Sequence, residues 1–181
     1  LDHESLLRPT GLARDPLSGE IYVADSGAHD IKVFDSQGEL VRTIGRRGTG
    51  EGQFNGPTHL SFANEQLYVS DTLNSRVQVL SPAGEPLSTI GRRGLFVGNL
   101  VRPKGVTTDS DGHIYVIESY YDHLLIFNEA DELLLPIGGT GSRPGKFFLP
   151  AGAWTGDGNR LFVADMFNGR VIVLDYLGGG P

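Results

Sequence analysis

At 181 residues, with 39% hydrophobic residues and no cysteine, the chain suffices for one domain with a real core and excludes disulfides, thiolate nucleophiles and cysteine-held zinc. Its formal charge of −7 argues against nucleic acid as the default partner, because phosphate binding needs clustered positive charge. No apolar stretch is long enough to span a bilayer, so no membrane insertion is expected, and Leu1 in place of Met reads as a processed or truncated chain.

The first predicted strands fall at about 10–13, 21–24, 31–34 and 40–44. They are short runs rich in Val, Ile, Leu, Tyr and Phe, broken by turn residues and without a helical period. The same set then recurs. Pro9, Pro57, Pro103 and Pro150 lie 48, 46 and 47 residues apart, and Asp25, Asp71, Glu118 and Asp165 lie 46, 47 and 47 apart. Gly45, Gly91 and Gly138 keep the same period, with spacings of 46 and 47. Four-stranded units of this length predict an all-β fold, a β-propeller of four-stranded antiparallel blades. The blades are expected at about 8–55, 56–101, 102–149 and 150–177, the last without its fourth strand. Pro86 and Pro136 sit in fourth runs, which makes those runs outer edge strands, since proline cannot donate to a ladder.

The motifs YVAD at 22–25, YVSD at 68–71, YVIE at 115–118 and FVAD at 162–165, each followed by a short turn and a strand, resemble the NHL repeat family over nearly the whole chain. The glycine-rich links at 45–57 and, more weakly, 146–150 add to the resemblance. The family's turn reads Asn-His-Arg or Asn-His-Leu. Here it reads Ala28-His29-Asp30, Asn74-Ser75-Arg76, Tyr121-Asp122-His123 and Asn168-Gly169-Arg170, which we take as repeat drift. Family propellers close with about six blades, so the resemblance implies an incomplete ring, a fragment of a larger propeller, in preference to a small closed one. Such a fragment is expected to expose the apolar flanks of its end blades and to self-associate edge to edge.

Strand alternation puts the loops between second and third strands on one face with the inter-blade links. That face collects Arg46, Arg47, Arg76, Arg92, Arg93, Arg102, Arg143, Lys146 and Arg170 against seven acidic residues. The opposite face collects thirteen acidic residues, Glu20, Asp109 and Asp131 among them, against Arg14 and Arg160. The basic face also carries Phe96, Tyr120, Tyr121 and Phe167, and arginine with aromatics is a favoured interface composition. The candidate binding residues are Arg46, Arg47, Arg92, Arg93, Tyr120, Tyr121, His123 and Phe167.

A reaction is harder to read. The histidines His3, His29, His59, His113 and His123 occupy non-equivalent repeat positions, and His59 stands where other repeats have Gly11, Gly105 and Gly152. Three or four convergent zinc ligands are therefore not in view. Asp25, Asp71, Glu118 and Asp165 each end a strand, where a carboxylate caps the turn that follows. No nucleophile or phosphate-loop signature is present. We expect a non-catalytic module with no cofactor and no metal, presenting the Arg/aromatic face to a protein or to a small anionic or carbohydrate ligand. The alternative is part of a metal-dependent propeller enzyme resembling amidating lyases or lactonases. RNA binding, a property of some NHL domains, ranks third. Resemblance to bacterial NHL proteins implies a periplasmic or extracellular setting.

Overall fold

The computed structural model describes residues 5–156, 158 and 160–175. The first blade contains β1 (Pro9–Arg14), β2 (Ile21–Asp25), β3 (Asp30–Phe34) and β4 (Leu40–Ile44). The second contains β5 (Pro57–Ala63), β6 (Gln66–Asp71), β7 (Arg76–Leu80) and β8 (Pro86–Ile90). The third contains β9 (Pro103–Thr108), β10 (Ile114–Glu118), β11 (His123–Phe127) and β12 (Leu133–Gly138). The fourth has three described strands, β13 (Pro150–Thr155), β14 (Arg160–Asp165) and β15 (Arg170–Asp175); residues 176 and 177, at the expected end of this blade, lie outside the described residues. All four sheets are antiparallel and run in sequence order, so the fold is an all-β run of four propeller blades. Pro86 and Pro136 lie in the edge strands β8 and β12, the strands that tolerate proline.

Successive blades meet through their inner strands, β1 on β5, β5 on β9 and β9 on β13. Glycine makes this approach close. A Cβ on Gly11 would sit 2.5 Å from the Thr58 carbonyl oxygen, and one on Gly105 would sit 2.5 Å from the Ala153 nitrogen. Further out, each seam is an apolar core of its own. Tyr22, Ala24, Ile31 and Val33 face Leu60, Leu67, Val69 and Leu80. Tyr68, Val77 and Val79 face Val106, Ile114, Val116 and Leu125, and Tyr115, Ile117 and Leu124 face Leu161 and Val163. Alternate residues on the second and third strands thus point to opposite neighbours, as a sheet buried on both faces requires.

The end flanks differ. On the fourth blade Trp154, Val171 and Val173, which repeat positions covered elsewhere, are exposed by 63%, 62% and 48%. On the first blade Leu12 is exposed, but Val23 and Phe34 are buried. The expectation of two open apolar flanks therefore holds fully for the last blade only.

Candidate functional site

The link-side face is built on buried carboxylates. Asp25, Asp71, Glu118 and Asp165 are almost wholly shielded from solvent and every one is saturated with donors. Asp25 accepts the backbone N–H groups of Leu7, Arg8, Gly27 and Ala28 at 2.7–3.1 Å. Glu118 accepts those of Val101, Arg102 and Tyr120. Burial alone would raise the pKa of Asp25 and Asp165, but the hydrogen bonds outweigh it and hold both below the ordinary value. The ring of carboxylates is therefore a set of turn caps that joins each 2–3 turn to the preceding link.

Arginine has two roles on this face. Arg76 Nε donates to Asp71 at 2.9 Å while its NH2 donates to the Gly50 and Gln53 carbonyls of the first link. Arg170 repeats this with Asp165, Ser142 and Lys146 on the third link. Asn74 and Asn168 complete each clamp by donating to the Gly48 and Gly141 carbonyls. These arginines are consumed by the fold. Arg46, Arg47, Arg92 and Arg93 are exposed, and none makes a side-chain hydrogen bond or ion pair among the described residues.

Backbone chemistry explains why the Gly-Arg-Arg-Gly loops hold their shape without those side chains. The Arg46 carbonyl accepts from Phe54 N–H and the Arg92 carbonyl from Leu100 N–H, both at 2.9 Å. Phe54 and Leu100 are fully buried plugs, and Gly45 and Gly91, at φ +78° and +76°, leave them room. The arginines point outward from a scaffold that does not need them.

The remaining candidates form two groups. Tyr120 and Tyr121 pack edge to face at 4.8 Å on the third blade's turn, with Tyr120 more than half exposed. His123 lies at the end of that turn; burial first, then the Lys146 ammonium, lowers its pKa. Phe167 sits on the fourth blade's turn against Phe148, at 5.4 Å. Sequence reading missed four exposed apolar residues on the same loops, Leu73, Leu95, Val97 and Phe148. The signal was present for two of them, because residues 95–97 are Leu-Phe-Val where the first link has Thr-Gly-Glu.

Sorting by face fails at the rim. Asp131, assigned to the acidic face, accepts the backbone N–H of Gly91 from the link face at 2.6 Å. Neighbouring strands twist by roughly 20–25°, which carries the third blade's outer loop up to the preceding link. On the acidic side Glu20 is paired bidentately by Arg42 from mid-strand β4, at 2.6 and 2.7 Å, so that face is less negative than a loop count implies.

Two other groups invite a chemical reading. Asp109, Asp111 and His113 each bring a ligand atom within 4.8 Å of the others. Asp109 already accepts from the Asp111 and His113 backbone, from Tyr115 and from the His113 ring, the arrangement of a capped β9–β10 turn. Asp15 caps the corresponding turn of the first blade through Leu17 and Ser18. His59, on the inner strand β5, is half-buried with its Nδ1 shielded and without a hydrogen-bond partner among the described residues. Burial, and then Lys104, pushes its pKa down to about 4 from 6.5. As pH falls through that window the unfolded chain binds a proton that the folded chain refuses, so stability declines from about 6.5 and levels off below about 4. The loss reaches up to about 3 kcal/mol, and urea midpoints for His59→Gln should fall less steeply with falling pH, keeping only the share from His123, whose pKa burial also lowers.

The NHL repeat model matches residues 6–34. No curated protein sequence matches the chain significantly. Among solved structures, a streptogramin B lyase superimposes with a TM-score of 0.65 at 14% identity, over 93% of this chain and 55% of the lyase. Hydrazine synthase of Kuenenia stuttgartiensis gives 0.64 at 15% identity, over 94% of this chain and 50% of that one. A chain of the nidogen/laminin complex gives 0.60 at 22% identity, over 93% and 65%. The chain thus spans about half the length of the lyase and the synthase, and at these identities the likeness concerns fold alone. With an NHL repeat matched directly at residues 6–34 and the same strand order, turn caps and seams in the blades that follow, this chain is a four-blade β-propeller arrangement that opens on an NHL repeat.

Proposed function

We propose that the chain is a non-catalytic binding module that presents its link-side face to an acidic partner, with Arg46, Arg47, Arg92 and Arg93 as the charged contacts. One contrast carries the reading. The fold uses Arg76 and Arg170 completely, whereas these four arginines are exposed on links of the face that also carries the apolar turn tips Tyr120 and Phe167. Exposed arginine beside exposed aromatics is the composition of a contact surface. An extracytoplasmic setting belongs to the same proposal.

A soluble acidic copolymer of glutamate and tyrosine serves as the probe. Replacing the four arginines together by Ala should weaken its binding by at least about tenfold and flatten its salt dependence. The urea midpoint should stay unchanged. Equal binding by the variant would remove the arginines from the surface.

The competing reading, part of a metal-dependent propeller enzyme, draws on His59, an imidazole on an inner strand with a shielded, unpartnered nitrogen. Stoichiometric zinc or calcium in the purified protein would favour it.

A further inference from the structure

The three links occupy equivalent places, yet one is built differently. The first is clamped by Asn74 and Arg76, and the third by Asn168 and Arg170. Beside the second, residues 91–103, the equivalent positions hold Tyr121 and His123, and neither donates to that link among the described residues. The unclamped link is also the apolar one. Leu95, Phe96 and Val97 are exposed by 78%, 83% and 63%, directly after Arg92 and Arg93. The corresponding residues are Thr-Gly-Glu at 49–51 and Ser-Arg-Pro at 142–144. The fold thus clamps two polar links with Asn and Arg side chains, whereas the apolar one is tied at its ends by Asp131, Ser75 and Glu118 and has no such clamp at its tip among the described residues.

We propose that this face docks on an anionic lipid surface, with Leu95, Phe96 and Val97 as the tip that enters the headgroup layer and Arg92 and Arg93 held at the phosphates. The proposal rests on the binding reading above and names its partner. A projecting apolar tip with adjoining basic residues is the composition of an interfacial anchor. Leu73, Tyr120, Phe148 and Phe167 are exposed apolar tips on the same face of other blades, so an extended surface meets several at once. The exposed charges there are Arg46, Arg47, Arg92, Arg93, Arg102, Arg143 and Lys146 against Glu51 and, at the rim beside Gly91, Asp131. Exposed Glu39, Glu65, Glu85 and Glu129 lie on the opposite side, and the resulting field turns the basic face toward a negative surface. A protein partner is less favoured because Leu95 and Phe96, the two most exposed members of the triad, project from the surface; Val97 alone borders a shallow concavity, with Phe127 and Leu133. Such docking is peripheral, and no helix among the described residues is long and apolar enough to cross a membrane.

Co-flotation of the whole chain with phosphatidylcholine vesicles, with and without about 30% phosphatidylserine, tests this at about 0.1 M salt. Binding is expected only with phosphatidylserine. The exchange Leu95→Thr, Phe96→Gly and Val97→Glu installs the first link's own loop, which this fold already accommodates, and should lower vesicle binding at least about tenfold. Phe96→Trp in a Trp154→Phe background should shift its emission to the blue on vesicles. No flotation with phosphatidylserine, or equal flotation of the exchanged loop, overturns the inference. If vesicles are ignored while the acidic copolymer is bound through the arginines, the face recognises polypeptide and only the lipid inference fails. Loss of both removes both readings.

Discussion

Asp71→Ala is expected to be the most damaging single truncation of a polar side chain. Asp71 is fully buried and accepts four hydrogen bonds, from Asn55 N–H at 2.7 Å, Asn74 at 2.8 Å, Arg76 at 2.9 Å and Gln78 at 3.2 Å. Its removal strands a guanidinium that is itself only 14% exposed. Breaking one partner out of a buried charged pair costs about 3–5 kcal/mol, against about 5–15 kcal/mol of total stability in a typical domain. Urea unfolding should show a loss of that size with Arg76 intact. Removing both, in Asp71→Ala with Arg76→Leu, should recover part of it, because no unpaired charge remains. Asp71→Ala within about 1 kcal/mol of the parent would show that the clamp is dispensable. Asp25, whose partners are all backbone N–H groups of Leu7, Arg8, Gly27 and Ala28, should respond less to loss of a neighbouring side chain than Asp71 does.

The fold was legible because its punctuation is chemical. Proline opens each inner strand at Pro9, Pro57, Pro103 and Pro150, and a carboxylate closes each second strand at Asp25, Asp71, Glu118 and Asp165. Both mark backbone needs that recur with the blade. The role of the carboxylates as turn caps was legible for the same reason. Side-chain partners are another matter. Arg46 and Arg76 look alike as basic residues on one face, and only the fold puts Arg76 against Asp71 and two link carbonyls. In retrospect the spacing Asp71, Asn74, Arg76, repeated as Asp165, Asn168, Arg170, was the signal that this arginine is structural.

What looked like drift in the other two turns has a physical content too. His29 and Asp122 hold the left-handed position at φ 61° and 56°, and each accepts the N–H that precedes the next inner strand, from Gly56 and Leu149 respectively. Different residues therefore perform the same blade-to-blade tie. The rim was not legible from strand alternation, because sheet twist brings Asp131 to Gly91 across the expected boundary between faces.

Phe54→Ala is expected to open the first seam, whereas Phe54→Leu should be nearly silent. Phe54 is fully buried among Tyr22, Ile44, Leu60 and Leu80, and in the next seam Leu100 fills the same place, also fully buried. Losing the ring costs about 3–5 kcal/mol, while the change to Leu should stay below about 1.5 kcal/mol. Gly45 supplies a sharper test. It lies at φ +78°, and a side chain there would run into the Phe54 ring. Gly45→Ala alone must therefore bear the left-handed backbone, about 1–2 kcal/mol, a close approach to the Gly52 carbonyl oxygen, and displacement of the plug. Once Phe54 is already Ala, the backbone cost and the 2.7 Å approach of the new Cβ to the Gly52 carbonyl oxygen remain, but the ring no longer has to move. The double variant should then be more stable than the sum of the two single losses by at least about 1 kcal/mol, read from a cycle of urea unfolding curves. Strict additivity would mean that glycine is required at position 45 for its backbone conformation and its contact with the Gly52 carbonyl, and that the plug does not set the spacing between blades.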